Sequence, residues 1–265
     1  MPLNVPGILV PFQLIVNPRI IVPGLIQDIR QIDFRALKKA GYRGAVFDKD
    51  NCLTVPYKDT LVPELESAWK ECREVFGEGN VLIVSNSAGS RTDAGGIQAE
   101  AINHHLGVPV LFHSSLKPSY SCIASIQAYF RSLQHPVHDR ELIIVGDRLF
   151  TDVVMANRMG MNQKGWIEHV RSLLGSSRPN SSIGDPTQSM TTPGTLAIWT
   201  TGVWKRESMV MRFAEKQLLE AVQKWSKPRE GQEIAMDTSI FIREPPPPPP
   251  KSGLIQKLMT RLRFN

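Results

Sequence analysis

Residues 43–54, RGAVFDKDNCLT, decide how the chain folds. An unbroken apolar run, Ala45–Phe47, stops abruptly at two aspartates one residue apart, Asp48 and Asp50. A short apolar run without alternation reads as a strand buried on both faces, as in a parallel sheet. The pattern recurs. AVFDKD (45–50), VLIVSN (81–86), VPVLFH (108–113) and ELIIVGD (141–147) all read as such strands, and TLAIWTTGVW (195–204) has the β-branched and aromatic content of a fifth. Helical spacing fills residues 63–76, 90–106 and 118–133, and TDVVMANRMG (151–160) reads as a further helix ended by Gly160. Strands alternating with helices imply a three-layer, Rossmann-like α/β fold with about five parallel strands.

Three of these strands end in polar clusters, DKDN, SNS and GDR. Open α/β sheets bind ligands at the carboxyl ends of their strands, so the chemistry belongs there. With the strands of Asp48 and Asp147 side by side, Asp48, Asp50 and Asp147 converge, and Asp152 follows at the start of the next helix. Bare carboxylates at that spacing repel and force protons onto one another. A hard divalent cation removes the conflict, and magnesium needs few protein oxygens because it keeps several waters. A lone strand-end aspartate would read as a helix cap or turn former; this set does not.

The ordered motifs resemble the phosphatases of the haloacid-dehalogenase (HAD) type. DKDNCLT (48–54) is similar to their first motif, VSNSAG (84–89) to the second, Lys117 in SLKP to the third, and GDRLFTD (146–152) to the fourth. The resemblance covers about residues 44–160 and the strand at 195–204. It implies Asp48 as the phosphate-accepting nucleophile and Asp50 as acid and base. It also implies Ser85, Asn86 and Lys117 around the phosphate, with Asp48, Asp50, Asp147 and Asp152 holding Mg2+. An aspartyl phosphate divides hydrolysis into two easier steps, and a lysine plus a metal offset charge on the phosphoryl oxygens. The finer spelling, DKDNCLT and GDRLFTDVVMAN (146–157), looks like the phosphatidylglycerophosphate phosphatases of fungal mitochondria and their bacterial relatives. That implies a phospholipid substrate, a step towards cardiolipin, and a peripheral place on the matrix side of the mitochondrial inner membrane.

Spacing adds an inference of its own. One helix and one strand consume most of the interval between Asp50 and Ser85, and again between Ser85 and Lys117. No large cap domain fits in either, so the site is expected to be open and able to admit a bulky or membrane-held phosphate.

Composition agrees with a globular enzyme: 42% of residues are hydrophobic, 21% are charged, and the net charge is +6, which favours anionic partners. With no zinc-finger spacing, aromatic RNA-binding signature or arginine-rich tract, nucleic acid is not an expected partner. Cys52, Cys72 and Cys122 are too few for a disulfide framework and fit a reducing compartment. Cysteine phosphatase chemistry fails too, because Lys58 stands where Cys52 would need an arginine.

The ends carry different signals. Residues 7–26 are apolar, but Pro11, Pro18, Pro23 and Arg19 break the run, so it reads as an interfacial segment rather than a span. Arg30, Arg35, Lys38, Lys39 and Arg43 follow it, as expected beside an anionic membrane. Residues 1–43 therefore read as an apolar and basic membrane-associating arm. Residues 44–225 read as the phosphatase domain, with a mobile insertion at 161–194 and a final helix at 207–225. Residues 226–265 read as a linker, a hexaproline spacer of the kind SH3-type partners take, and a basic amphipathic tail. Two competing functions remain: a phosphatase of soluble phosphoesters or phosphoproteins, and a membrane-bound scaffold on a relic HAD fold.

Overall fold

The computed structural model describes residues 24–160, 195–202, 204, 217 and 238–244. Five parallel strands form one sheet: β1 (Gly24–Ile26), β2 (Gly44–Phe47), β3 (Val81–Ile83), β4 (Leu142–Gly146) and β5 (Leu196–Thr200), in the order β1-β5-β4-β2-β3. The helices are α1 (Phe34–Lys39), α2 (Glu66–Phe76), α3 (Ile97–Leu106), α4 (Tyr120–Arg131) and α5 (Val154–Gly160).

Alternation along each strand sends neighbouring side chains to opposite faces, which makes two cores. Ala45, Phe47, Val81, Ile83, Ile143 and Val145 pack with α1, α2 and α3. Val46, Leu82, Leu142 and Ile144 pack with α4 and α5. The expected three-layer architecture is therefore present. Buried Trp69 of α2 meets Phe47 edge to face at 5.2 Å and donates its indole N–H to the Leu106 carbonyl at 2.9 Å. An aromatic buried this completely is worth roughly 2–3 kcal/mol, and its polar edge is satisfied. Phe47 is thereby clamped one residue before Asp48.

Three regions differ from the sequence expectation. Residues 108–113 do not form a strand; a single parallel bridge joins Val110 to Ile83. Pro109 has no N–H to give. Further on, the Ser85 carbonyl is taken by the His113 imidazole, while the His113 backbone N–H turns to the Gly89 carbonyl. Next, residues 24–43, grouped with the arm, contribute an edge strand paired with β5 and the helix α1. Asp33 caps α1, and Phe34 and Leu37 lie in the core. Finally, part of the expected linker, residues 238–244, straps back onto the domain. Ile242 bridges Ile32, Phe241 packs edge to face on Tyr42 at 6.2 Å, and Arg243 pairs with Glu71 and Asp33 at 2.8 and 2.9 Å. The segment before residue 24, the 161–194 insertion, nearly all of 207–225 and the proline-rich tail lie outside the described residues.

Candidate active site

The central strands set the site. Phe47 pairs with Val145 across β2 and β4, and the Asp48 N–H donates to the Val145 carbonyl at 2.8 Å. Asp48 and Asp147 thus leave the ends of adjacent strands side by side. Asp152 joins them from a π turn, Leu149–Val153, that precedes α5, where a continuous helix was expected. Turns with one extra residue recur where a side chain must be re-aimed at a functional centre. Gly146 makes the approach feasible, because a Cβ there would overlap the Asp152 carboxyl group. Oxygens of Asp48, Asp147 and Asp152 lie within 4.8 Å of one another. The indole of Trp199 on β5 donates to the Asp147 carbonyl at 2.9 Å and fixes that turn.

Lys117 supplies the counter-charge. Its ammonium lies 2.7 Å from Asp48 Oδ1 and 2.7 Å from Asp152 Oδ1, and the residue is buried. Burial works against its charge, but Asp152 and Asp48 outweigh burial and hold the ammonium well above its ordinary range. Burial pushes Asp48 up to about 6, with Lys117 pulling downward and the Asp152 charge adding to the rise. One lysine against three carboxylates leaves negative charge uncompensated. A cluster of hard oxygens with a charge deficit fits a divalent cation such as magnesium.

Asp50 stands apart from that set. Its Oδ1 is 2.9 Å from the buried Lys49 ammonium, and its Oδ2 accepts from Ser87 Oγ at 3.0 Å. Since Ser87 spends its only hydroxyl proton there, the 2.9 Å contact between Ser85 and Ser87 has Ser85 as donor. Ser85 is thus linked to Asp50 through one hydroxyl. Asn86 Oδ1 accepts from the Lys117 backbone N–H at 2.7 Å, which ties the second motif to the third. Arg158 of α5 donates to the Pro118 carbonyl and steadies the same loop.

The structure therefore gathers Asp48, Asp147, Asp152 and Lys117 at one point, with Asp50, Ser85 and Asn86 around it. The Asp50 carboxylate, expected among the metal ligands, is not in the converging set, because Lys49 and Ser87 hold it to one side. Four supporting residues were not singled out from sequence: Lys49, Ser87, His113 and Trp199. Lys49 and Ser87 sit inside motifs already marked, so adjacency was an available signal; nothing local marked His113 or Trp199.

Cys52 is buried next to this cluster, its Sγ 3.9 Å from the Val145 carbonyl oxygen. Burial and the neighbouring carboxylates push its thiol well above the ordinary range, which disfavours a thiolate there.

Residues 5–169, which include every one of these side chains but Trp199, match the mitochondrial PGP phosphatase family. The chain belongs to that family. Among relatives of this PGP phosphatase family member is phosphatidylglycerophosphate phosphatase 1, chloroplastic, of Chlamydomonas reinhardtii. It is 43% identical over 153 residues, covering 57% of this chain and 53% of the relative. The mitochondrial phosphatidylglycerophosphatase of Saccharomyces cerevisiae is 36% identical over 158 residues, 60% of this chain and 84% of that one. The probable mitochondrial phosphatidylglycerophosphatase of Schizosaccharomyces pombe is 34% identical over 170 residues, 60% of this chain and 80% of the relative. The chain thus spans about half the length of the algal relative and most of the yeast ones. No solved structure gives a significant match. Among the described residues of this PGP phosphatase family member, no helix is long and apolar enough to cross a membrane.

Proposed function

We propose that the chain hydrolyses phosphatidylglycerophosphate to phosphatidylglycerol by HAD-type chemistry. The observation that carries the chemistry is the placement of Asp48 between Lys117 and the Asp147–Asp152 pair at the ends of two adjacent strands. The names of the relatives supply the substrate. The Lys117 ammonium at 2.7 Å and the Lys49 N–H at 2.8 Å meet the Asp48 carboxylate at Oδ1. Oδ2 is then the oxygen that attacks phosphorus.

As Oδ2 bonds to phosphorus, the bond from phosphorus to the glycerol oxygen breaks and Asp50 gives that oxygen a proton. Asp50 next takes a proton from water, whose oxygen bonds to phosphorus as the bond from phosphorus to Asp48 Oδ2 in the acyl phosphate breaks, which frees phosphate and restores the carboxylate. Lys117 and Ser85 hold the phosphoryl oxygens, and Lys49 and Ser87 hold Asp50 in place. Magnesium bound by Asp48, Asp147 and Asp152 would supply further charge neutralisation on those oxygens. Among the described residues, loops follow the strand ends and no large cap covers the site, as suits a substrate whose tail stays in a bilayer.

This reading gives the enzyme a role in cardiolipin biosynthesis, with peripheral attachment to the matrix face of the mitochondrial inner membrane. In support stand the mitochondrial relatives and the proline-broken apolar run at residues 7–26. The test is phosphate release from phosphatidylglycerophosphate in detergent micelles with magnesium, with Asp48→Asn as the control. Rapid turnover of soluble esters without turnover of the lipid would overturn the substrate. No turnover of any ester would leave the scaffold reading instead.

A further inference from the structure

Among the described residues, the large apolar side chains most exposed to water are Tyr57, Ile97, Phe112, Tyr120 and Ile240. Four of these five share one end of the molecule. Tyr57 lies on the loop that leaves β2, and its backbone N–H donates to Asp50 Oδ1 at 3.3 Å. Ile97 opens α3 after β3, and Tyr120 opens α4 just beyond Lys117. Phe112 lies between them on the 110–118 segment and leans on the turn before Ile97: a Cβ on Gly96 would come within 2.8 Å of its ring. All four sit on segments at the carboxyl ends of the strands, where the carboxylates are.

We infer that this rim is the face that docks on an anionic phospholipid bilayer, with Ile97, Phe112 and Tyr120 entering the headgroup layer. The inference rests on the lipid-phosphate reading above and says which surface meets the lipid. Three observations carry it. First, the site is recessed: the Asp48 side chain is only 12% exposed, whereas Ile97 is 71% and Phe112 66% exposed. A phosphate anchored by its acyl chains projects only a little from the bilayer, so the rim has to sink into the interface before Asp48 reaches phosphorus. Second, aromatic and aliphatic groups are the ones that settle at that depth. Third, exposed Lys58 and Arg91 flank Tyr57 and Ile97 on the same loops, and cations beside apolar groups match an anionic surface.

The experiment uses the full chain, whose own three cysteines are all buried. An environment-sensitive fluorophore is attached in separate proteins at Phe112→Cys and at His135→Cys, an exposed position on the turn that leads into the opposite end of β4. Vesicles of phosphatidylcholine and phosphatidylglycerol carrying a nitroxide lipid are then added. The label at 112 is expected to shift to the blue and be quenched, while the label at 135 does neither. Co-flotation without a response at 112, an equal response at 135, or no binding to the vesicles would overturn the docking face.

A second arm uses the combined variant Ile97→Ser and Phe112→Ser. It is expected to lose about tenfold or more in rate on vesicles, since apolar burial drives interfacial binding, while turnover of a water-soluble phosphate ester is unchanged. An equal loss on both substrates would overturn the inference. Insertion at 112 by a protein inactive on the lipid in micelles would defeat the proposed substrate and leave the docking face standing. Lipid turnover in micelles without insertion would do the reverse.

Discussion

Lys117 and Asp48 form an ion pair of 2.7 Å in the interior, and the same ammonium reaches Asp152 at 2.7 Å. The lysine therefore holds the cluster together, beside the phosphate binding proposed for it. Lys117→Met leaves three neighbouring carboxylates without their organic cation. Stripping one partner from a buried pair costs about 3–5 kcal/mol. A urea titration in EDTA should show a loss of that order, and phosphatase activity should fall by about a hundredfold or more. A variant as stable as the parent would remove Lys117 from the structural account.

Asp48 makes the opposite prediction for stability. Burial raises its proton affinity to about 6 from an ordinary value near 4. Between those pH values the folded chain binds more protons than the unfolded one, so this group weakens the fold as pH rises, and its penalty is complete above about 6. Asp48→Asn removes the charge. In EDTA its Tm should exceed the parent's by a few degrees near pH 8, and the gap should shrink as the pH falls through 6 towards 4. A lower Tm near pH 8 would contradict the charge deficit.

Magnesium should stabilise the parent and protect Asp48→Asn less, because a ligand that binds only the folded state adds stability in proportion to its affinity. Thermal scans with and without the ion check this. Below about pH 6 the gain should fade, as protons compete for Asp48.

Gly146 tests the packing beneath the site. Gly146→Ala forces the Asp152 carboxyl group aside, since the new methyl overlaps it. Magnesium affinity, read by calorimetry, should drop by about tenfold or more, as it does when groups that orient metal ligands are disturbed. Unchanged affinity would mean that Asp152 does not hold the ion.

Arg243 acts on stability alone. Its hydrogen bonds hold Glu71 and Asp33 below their ordinary carboxylate range, so its contribution is present near neutral pH and is lost as the pH falls through those lowered values. The guanidinium is more than a third exposed, which limits the effect to about 1 kcal/mol. Arg243→Met should lower the Tm by a few degrees near pH 7 and by progressively less as acid protonates the two carboxylates, with turnover of soluble esters unchanged.

Legibility from sequence followed the range of the interactions. Ala45–Asp48 and Ile143–Asp147 were readable because an apolar run ending in an acid is a local signal of a buried strand meeting a ligand site. Asp152 and Lys117 needed the resemblance, since no local pattern says that a residue in a turn and another before a proline point at Asp48. Gly24–Ile26 was lost in a proline-broken apolar stretch whose composition looks interfacial. Arg243 and Ile242 were lost in a polar linker because their partners, Glu71, Asp33 and Ile32, are remote along the chain. Residues 108–113 misled in the other direction: they are apolar enough for a strand, but a side chain, His113, captured the carbonyl that would have extended the ladder.

The edge strand β1 has a consequence in time. Gly24 pairs with Ile198, roughly 170 residues later, and among the described residues with no strand nearer in sequence. At about 5–20 residues per second, a ribosome takes roughly 10–35 s to make that interval. Through that wait β2, β3 and β4, with every proposed catalytic residue, are already made, while the first strand has no partner to join. Gly24–Ile26 can thus join the sheet only after the residues of the proposed site have been made.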